Sequence, residues 1–137
     1  MSAVIVVGSA NTDFTVKVAR LPRPGETVSG GDFRVSYGGK GANQAMAARK
    51  AGAQVDLLAK IGTDAHGQRL FDHLTAAGLP ADGLLRDERE PAGVALIAVD
   101  RQGRNQIVVA SGSNHTLGVS DLRGFEDRLT EAGLLLC

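Results

Sequence analysis

A glycine-rich run, Gly38-Gly39-Lys40-Gly41-Ala42-Asn43, stands directly before an alanine-rich segment in this sequence. Alanine favours helix and Gly52 supplies a usual stop, so the sequence predicts a helix over 42–51. Glycines before a helix let a ligand approach the backbone amides, which carry partial positive charge at a helix N-terminus. The run therefore predicts a binding loop where a strand passes into a helix.

Two common phosphate-binding loops can be tested against this run. The Walker A loop requires Ser or Thr directly after its Gly-Lys pair, whereas Lys40 is followed by Gly41. A dinucleotide fingerprint built on Gly39 and Gly41 requires a third glycine at position 44, which is Gln44. A dinucleotide-binding oxidoreductase domain is therefore disfavoured. A plain turn is the other interpretation, but Lys40 and Asn43 beside three glycines favour binding.

A second polar cluster, Gly8-Ser9-Ala10-Asn11-Thr12-Asp13, follows an apolar run over 3–7 that predicts a buried strand. Ligands of parallel α/β sheets bind beyond the carboxyl ends of the strands. The Asn11 amide donates and accepts hydrogen bonds, and the Asp13 carboxylate accepts them from hydroxyls, which suits a small polyol. The alternative is a turn in which both side chains bond their own backbone, and the cluster taken alone slightly favours that turn.

The hydrophobic pattern elsewhere alternates between strands and helices. Strands are predicted over 12–18, 32–37 and 55–61, a helix over 67–77, and a β-hairpin from the apolar runs 94–99 and 106–110. This order with short connections predicts an α/β fold with parallel pairing and right-handed crossovers.

The end of the chain predicts two further elements. Ser120 is the expected N-cap of a helix over 122–129, and residues 134–137 predict one more buried strand. No helix follows to cover that strand, so an α/β sheet ending there is expected to be incomplete.

Composition excludes several classes of function. Fifteen basic residues balance fifteen acidic ones, which argues against a nucleic-acid partner. The single cysteine, Cys137, fits a reducing compartment, and the short N-terminal apolar run predicts neither a signal peptide nor a membrane span. A cytoplasmic protein without membrane association is expected. His66, His73 and His115 lack metal-ligand spacing, so no metal site is predicted.

Several stretches in order resemble the N-terminal half of the ribokinase/PfkB-type carbohydrate kinases. The most specific is the run GGKGANQA over 38–45. The others are residues 8–13, 24–28, 62–67 and 93–97, so the resemblance spans essentially the whole chain.

The resemblance implies a Rossmann-like α/β fold with a small β-sheet lid, to which segments of about 12–37 and 93–110 contribute. The whole chain, 1–137, would then be the N-terminal portion of a single domain. The implied sugar-binding residues are Asn11, Thr12, Asp13, Gly38, Gly39, Lys40, Gly41, Ala42 and Asn43. The family's lid closes over the sugar and often pairs with the lid of a second subunit, so a homodimer is expected.

The resemblance also implies the reaction, which is transfer of the ATP γ-phosphoryl group to the 5-hydroxyl of D-ribose. Mg²⁺ would be required, and a monovalent cation such as K⁺ would activate. The family's catalytic aspartate lies in a Gly-Ala-Gly-Asp motif of the C-terminal half, which this sequence lacks, as it lacks the nucleotide pocket. We therefore expect no catalytic residue here and no activity of these residues alone. The alternatives are a related kinase for another sugar or a nucleoside, and a non-catalytic sugar-binding or lid-dimerisation module.

Overall fold

A computed structural model describes residues 3–137. The strands are β1 (Val4–Val7), β2 (Asn11–Val18), β3 (Gly30–Gly38), β4 (Val55–Gly62), β5 (Leu84–Asp87), β6 (Gly93–Val99), β7 (Asn105–Ala110) and β8 (Leu134–Leu136). The α-helices are α1 (Lys40–Lys50), α2 (Ala65–Ala76), α3 (Val119–Leu122) and α4 (Glu126–Glu131). Short 3₁₀ turns occupy Ala81–Gly83, Gly112–Thr116 and Arg123–Phe125.

The first sheet has the strand order β5-β4-β1-β8. Each neighbouring pair in it is parallel, as the alternation of strands and helices predicts. Helices α1 and α2 contribute to a core against this sheet, in which Ala45, Leu57, Ile61 and Leu70 are fully buried. The predicted α/β fold class is therefore confirmed.

The second sheet has the order β3-β2-β6-β7. Its central pair, β2 and β6, is parallel, and β3 and β7 pair antiparallel on either side. Strand β2 follows β1 after a three-residue loop, so the second sheet grows from the carboxyl edge of the first. Segments 12–37 and 93–110, which the resemblance assigned to a lid, together form this sheet.

The two long helices end in the same way. Gly52 after α1 and Gly78 after α2 have φ angles of 93° and 87°, a region that glycine enters at little cost. Residues 52 and 53, and likewise 78 and 79, donate their amides back to the last helical turn in the Schellman pattern. Arg49 joins the two ends, because its Nε donates to the Ala77 carbonyl at 2.8 Å.

Some predicted boundaries are wrong. Helix α1 begins at Lys40 rather than 42, and α2 spans Ala65–Ala76 rather than 67–77. The sequence pattern also missed β5, which is only four residues long. Short elements carry too little periodicity to stand out from the surrounding loop.

The predicted helix over 122–129 is broken into α3, a 3₁₀ turn and α4. Its cap is Gly118 and not Ser120, since the Gly118 amide donates to Asp121 Oδ2 at 2.9 Å. Strand β8 is present as expected but is not buried within this chain: Leu134 is 52% exposed on the edge of the sheet.

Candidate functional site

Three segments converge where the two sheets meet. They are the loop between β1 and β2, the start of α1, and the turn that follows β7. The cleft between them has a volume of about 400 Å³. Its lining residues are Ser9, Asn11, Gly39, Lys40, Asn43, Val109, Ser111 and Asn114. The two polar clusters that the sequence singled out therefore face one cleft.

Ser9, in the β1–β2 loop, is hydrogen-bonded to the start of α1. Gly39 stands at the N-cap position and has no side chain to satisfy the first amides of the helix. Ser9 Oγ accepts from the Lys40 amide at 3.2 Å, and the Ser9 carbonyl accepts from the Ala42 amide at 3.0 Å. A residue 31 positions away in the sequence thus caps this helix.

Glycines at this junction leave no room for side chains. Gly39 has a φ of 94°, and a Cβ there would lie 2.7 Å from the Ser9 carbonyl oxygen. A Cβ on Gly41 would lie 2.7 Å from the Gly8 carbonyl carbon. Both distances are shorter than any ordinary contact, so the two backbones touch directly. The glycines at positions 39 and 41 therefore accommodate the backbone of the β1–β2 loop, and the close approach of a ligand that the sequence predicts stays a prediction.

Asn11 lies on the cleft wall and is only 9% exposed. Its Oδ1 accepts a hydrogen bond from Asn114 Nδ2 at 2.7 Å. Asn114 belongs to the 3₁₀ turn after β7 and also bonds both backbone groups of Ala10. The sequence pattern contained no sign of Asn114, because its role depends on a contact between residues 103 positions apart.

Asp13 is two residues beyond Asn11 on β2, so the pleat places both side chains on the same face. Its carboxylate occupies the space above Gly38, where a Cβ would lie 2.2 Å from Oδ2. Burial raises the pKa of Asp13 above its ordinary value. A carboxylate that is short of water and has open acceptor sites gains most from a ligand that brings hydroxyl donors.

Five of the nine expected site residues do not line the cleft, namely Thr12, Asp13, Gly38, Gly41 and Ala42. Thr12 is 1% exposed and points to the opposite face of β2 from Asn11. Ala42 is buried in the core beneath the start of α1. Gly38 and Gly41 shape the site by giving space to Asp13 and Gly8.

The two faces of the second sheet differ in character. Asn11 and Asp13 lie on one face, and the opposite face carries Phe14, Val16, Phe33, Leu96 and Val108 around an apolar depression of about 480 Å³. Helix α2 covers part of this apolar face. There the ring of His66, on α2, packs edge-on against the ring of Phe14, with ring centroids 5.2 Å apart. The rest of the apolar face is exposed to solvent, since Phe33 is 64% and Val108 66% exposed.

Across residues 3–137, no group of three His, Cys, Asp or Glu side chains is arranged to hold a metal ion. The eight residues that line the cleft include no Asp or Glu, so the cleft lining itself offers no carboxylate to a Mg²⁺ ion. No helix in the same range is long and apolar enough to cross a membrane.

Comparison with known proteins identifies the class. Residues 1–136 match the pfkB family of carbohydrate kinases. This chain belongs to that family. It is 36% identical to the ribokinase of Dictyostelium discoideum over 134 residues, covering 98% of this chain and 42% of that protein.

Solved structures agree with the fold. The ribokinase of Giardia lamblia superimposes with a TM-score of 0.90 at 30% identity, covering 98% of this chain and 41% of that one. The Arabidopsis thaliana ribokinase, solved with ribose and ATP, gives a TM-score of 0.79 at 32% identity, with 98% and 44% coverage. This chain spans less than half the length of these relatives.

Proposed function

We propose that the gene product carrying this chain is a ribokinase, and that these residues form its sugar-binding half. The observation that carries the proposal is the convergence of Asn11, Lys40 and Asn43 on one cleft, with Asp13 on the adjoining strand face. The names of its relatives support the choice of sugar, because the Dictyostelium protein is called ribokinase and the Arabidopsis structure contains ribose and ATP.

The chemistry of the cleft suits a small neutral polyol. Asp13 accepts hydrogen bonds from hydroxyls, and Asn11, Lys40 and Asn43 offer donors. Gly39 lines the cleft without a side chain, so a sugar ring could approach the backbone at the start of α1 closely. In this proposal Thr12, Gly38, Gly41 and Ala42 support the binding surface from behind.

In the proposed reaction, the 5-hydroxyl oxygen of D-ribose attacks the γ-phosphorus of ATP. The bond from that phosphorus to the β–γ bridging oxygen breaks, ADP leaves, and a base takes the hydroxyl proton. This chain would hold and orient the sugar, which is the positioning part of catalysis. ATP, Mg²⁺ and a monovalent cation such as K⁺ would bind mainly through the C-terminal half expected for the family, which would also supply the base.

Closure of the second sheet would complete the site. That sheet carries Asn11 and Asp13 and stands at the carboxyl edge of the first sheet. As a lid over the bound sugar, it would exclude water and so suppress ATP hydrolysis. We expect residues 1–137 alone to lack kinase activity, because the proposed base and nucleotide pocket lie outside them.

The test is a kinase assay on the full-length gene product with D-ribose, 2-deoxy-D-ribose, D-fructose and a ribonucleoside. We expect D-ribose to give the highest kcat/KM. Asp13→Ala and Asn43→Ala should raise the KM for the sugar about tenfold or more and leave the KM for ATP nearly unchanged. Asn105→Ala, an exposed asparagine at the start of β7, is the matched control. Unchanged sugar KM in both site variants would contradict the site, and preference for another acceptor would contradict the substrate.

A further inference from the structure

The orientation of the Asn114 amide is fixed by backbone groups. Its Oδ1 accepts from the Ala10 amide N–H at 2.9 Å, and a backbone N–H can only donate. Its Nδ2 faces the carbonyls of Ala10 and Ser111 at 3.2 and 3.0 Å, and carbonyls can only accept. A flipped Asn114 would oppose like groups at all three contacts, so only one orientation is compatible with its neighbours.

This orientation determines that of Asn11. The third atom facing Asn114 Nδ2 is the amide oxygen of Asn11, at 2.7 Å. If Asn11 were flipped, two NH₂ groups would face each other. Asn11 must therefore direct Oδ1 at Asn114, which leaves its own NH₂ group on the side of the cleft that both residues line.

The contact between the two amides occupies space that a glycine leaves free. Gly93 starts β6 beside Asn11, and a Cβ there would lie 2.1 Å from Asn114 Nδ2 and 2.4 Å from Asn11 Oδ1. Any side chain at position 93 would thus push the two amides apart. Asn114 lies in the turn after β7, which is an edge strand of the second sheet.

From this geometry we propose that Asn114 is a positioning residue that holds Asn11 as a pure hydrogen-bond donor toward the cleft. The proposal rests on the sugar-binding function proposed above and deepens it. Asn11 then requires an acceptor on the ligand, whereas the ionised Asp13 carboxylate, on the same strand face, requires a donor. Hydroxyl groups satisfy both demands, and a deoxygenated carbon satisfies neither.

The ligand-binding test is a double-mutant cycle on the full-length gene product, with D-ribose as the probe and calorimetry as the measurement. Asn114→Ala should weaken D-ribose binding about tenfold in the wild-type background. In the Asn11→Ala background, Asn114→Ala should weaken D-ribose binding by less than about twofold. Asn114 acts through the Asn11 side chain, which is absent from that variant. Equal losses in both backgrounds would overturn the proposal. Asn105→Ala should leave the affinity unchanged.

A second measurement does not depend on sugar binding. In isotopically labelled protein, NMR should detect scalar coupling through the hydrogen bond from Asn114 Nδ2 to the side-chain carbonyl carbon of Asn11. Its absence in folded wild-type protein would overturn the positioning role even if D-ribose binds. Its presence together with no D-ribose binding would contradict the proposed function and leave the positioning of Asn11 supported.

Discussion

Gly8 and Gly41 are in direct backbone contact, since a Cβ on Gly8 would lie 3.0 Å from the Cα of Gly41. This contact joins the loop after β1 to the first turn of α1. The start of the helix can approach the loop only because neither residue has a side chain.

Gly41→Ala should destabilise the protein by about 1–3 kcal/mol, because the added methyl group meets backbone that cannot move aside cheaply. Urea unfolding of the variant and the wild type measures the difference. Gly31→Ala is the matched control, since a Cβ there would lie 4.0 Å from its nearest neighbour. Equal effects of the two substitutions would show that the contact at Gly41 is not tight.

Asp13 is expected to weaken the fold at neutral pH. Burial raises its pKa, so the folded state binds the proton more tightly than the unfolded state, and stability is lost as pH rises through the folded pKa. Asp13→Asn should therefore be more stable than wild type at pH 7, and this advantage should shrink toward pH 3. Thermal unfolding across that range measures it. If the stability advantage of Asp13→Asn over wild type grew as pH falls, the predicted direction of the effect would be contradicted.

Asp87 should contribute acid resistance. The Thr116 hydroxyl, donating at 2.6 Å, and the amides of Arg89 and Glu90 lower the pKa of Asp87 to about 2 from an ordinary value of 3.8. Its stabilising contribution is thus present above pH 3.8 and is lost as pH falls through about 2.

Thr116→Val should raise the pKa of Asp87 and shift the acid-unfolding midpoint to higher pH. An NMR titration of the Asp87 carboxyl group measures the first effect directly. Thr130→Val is the control, because the Thr130 hydroxyl bonds only backbone carbonyls of α4. No shift of the Asp87 pKa in Thr116→Val would show that the hydroxyl is not its main partner.

We propose that the homodimer implied by the family resemblance pairs two copies of the second sheet through the apolar face that carries Phe14 and Leu96. Leu96 is 54% exposed at its centre, and placing a charge there should drive the protein toward monomer. Analytical ultracentrifugation of Leu96→Asp against wild type tests this. Val119→Asp changes another exposed apolar residue, on α3, and should leave the association state unaltered. A monomeric wild type would contradict the dimer.

Much of the fold follows from local pattern. The alanine-rich segment and its terminal Gly52 predicted α1, and the apolar run over 55–61 predicted β4, because burial and helix propensity act on neighbouring residues. The break between α3 and α4 was not predicted. There a single glycine, Gly124, and a cap at Gly118 outweigh a weak helical pattern.

The candidate site, like the fold, could be predicted from the sequence only in part. Asn11, Lys40 and Asn43 stood out because polar residues and glycines cluster at predicted strand and helix ends. Asn114 did not, because one asparagine in a short turn has no periodicity and its partner is 103 positions away. Only the pairing of β6 with β2 and β7 brings that turn back to the β1–β2 loop.

The most direct test of the proposed sugar-binding cleft is a crystal structure of the full-length gene product with D-ribose. We expect the sugar between β2 and the start of α1, with its hydroxyls within hydrogen-bonding distance of Asn11, Asp13 and Asn43. Density for the sugar at any other place, with these three side chains facing only solvent, would contradict the proposed site.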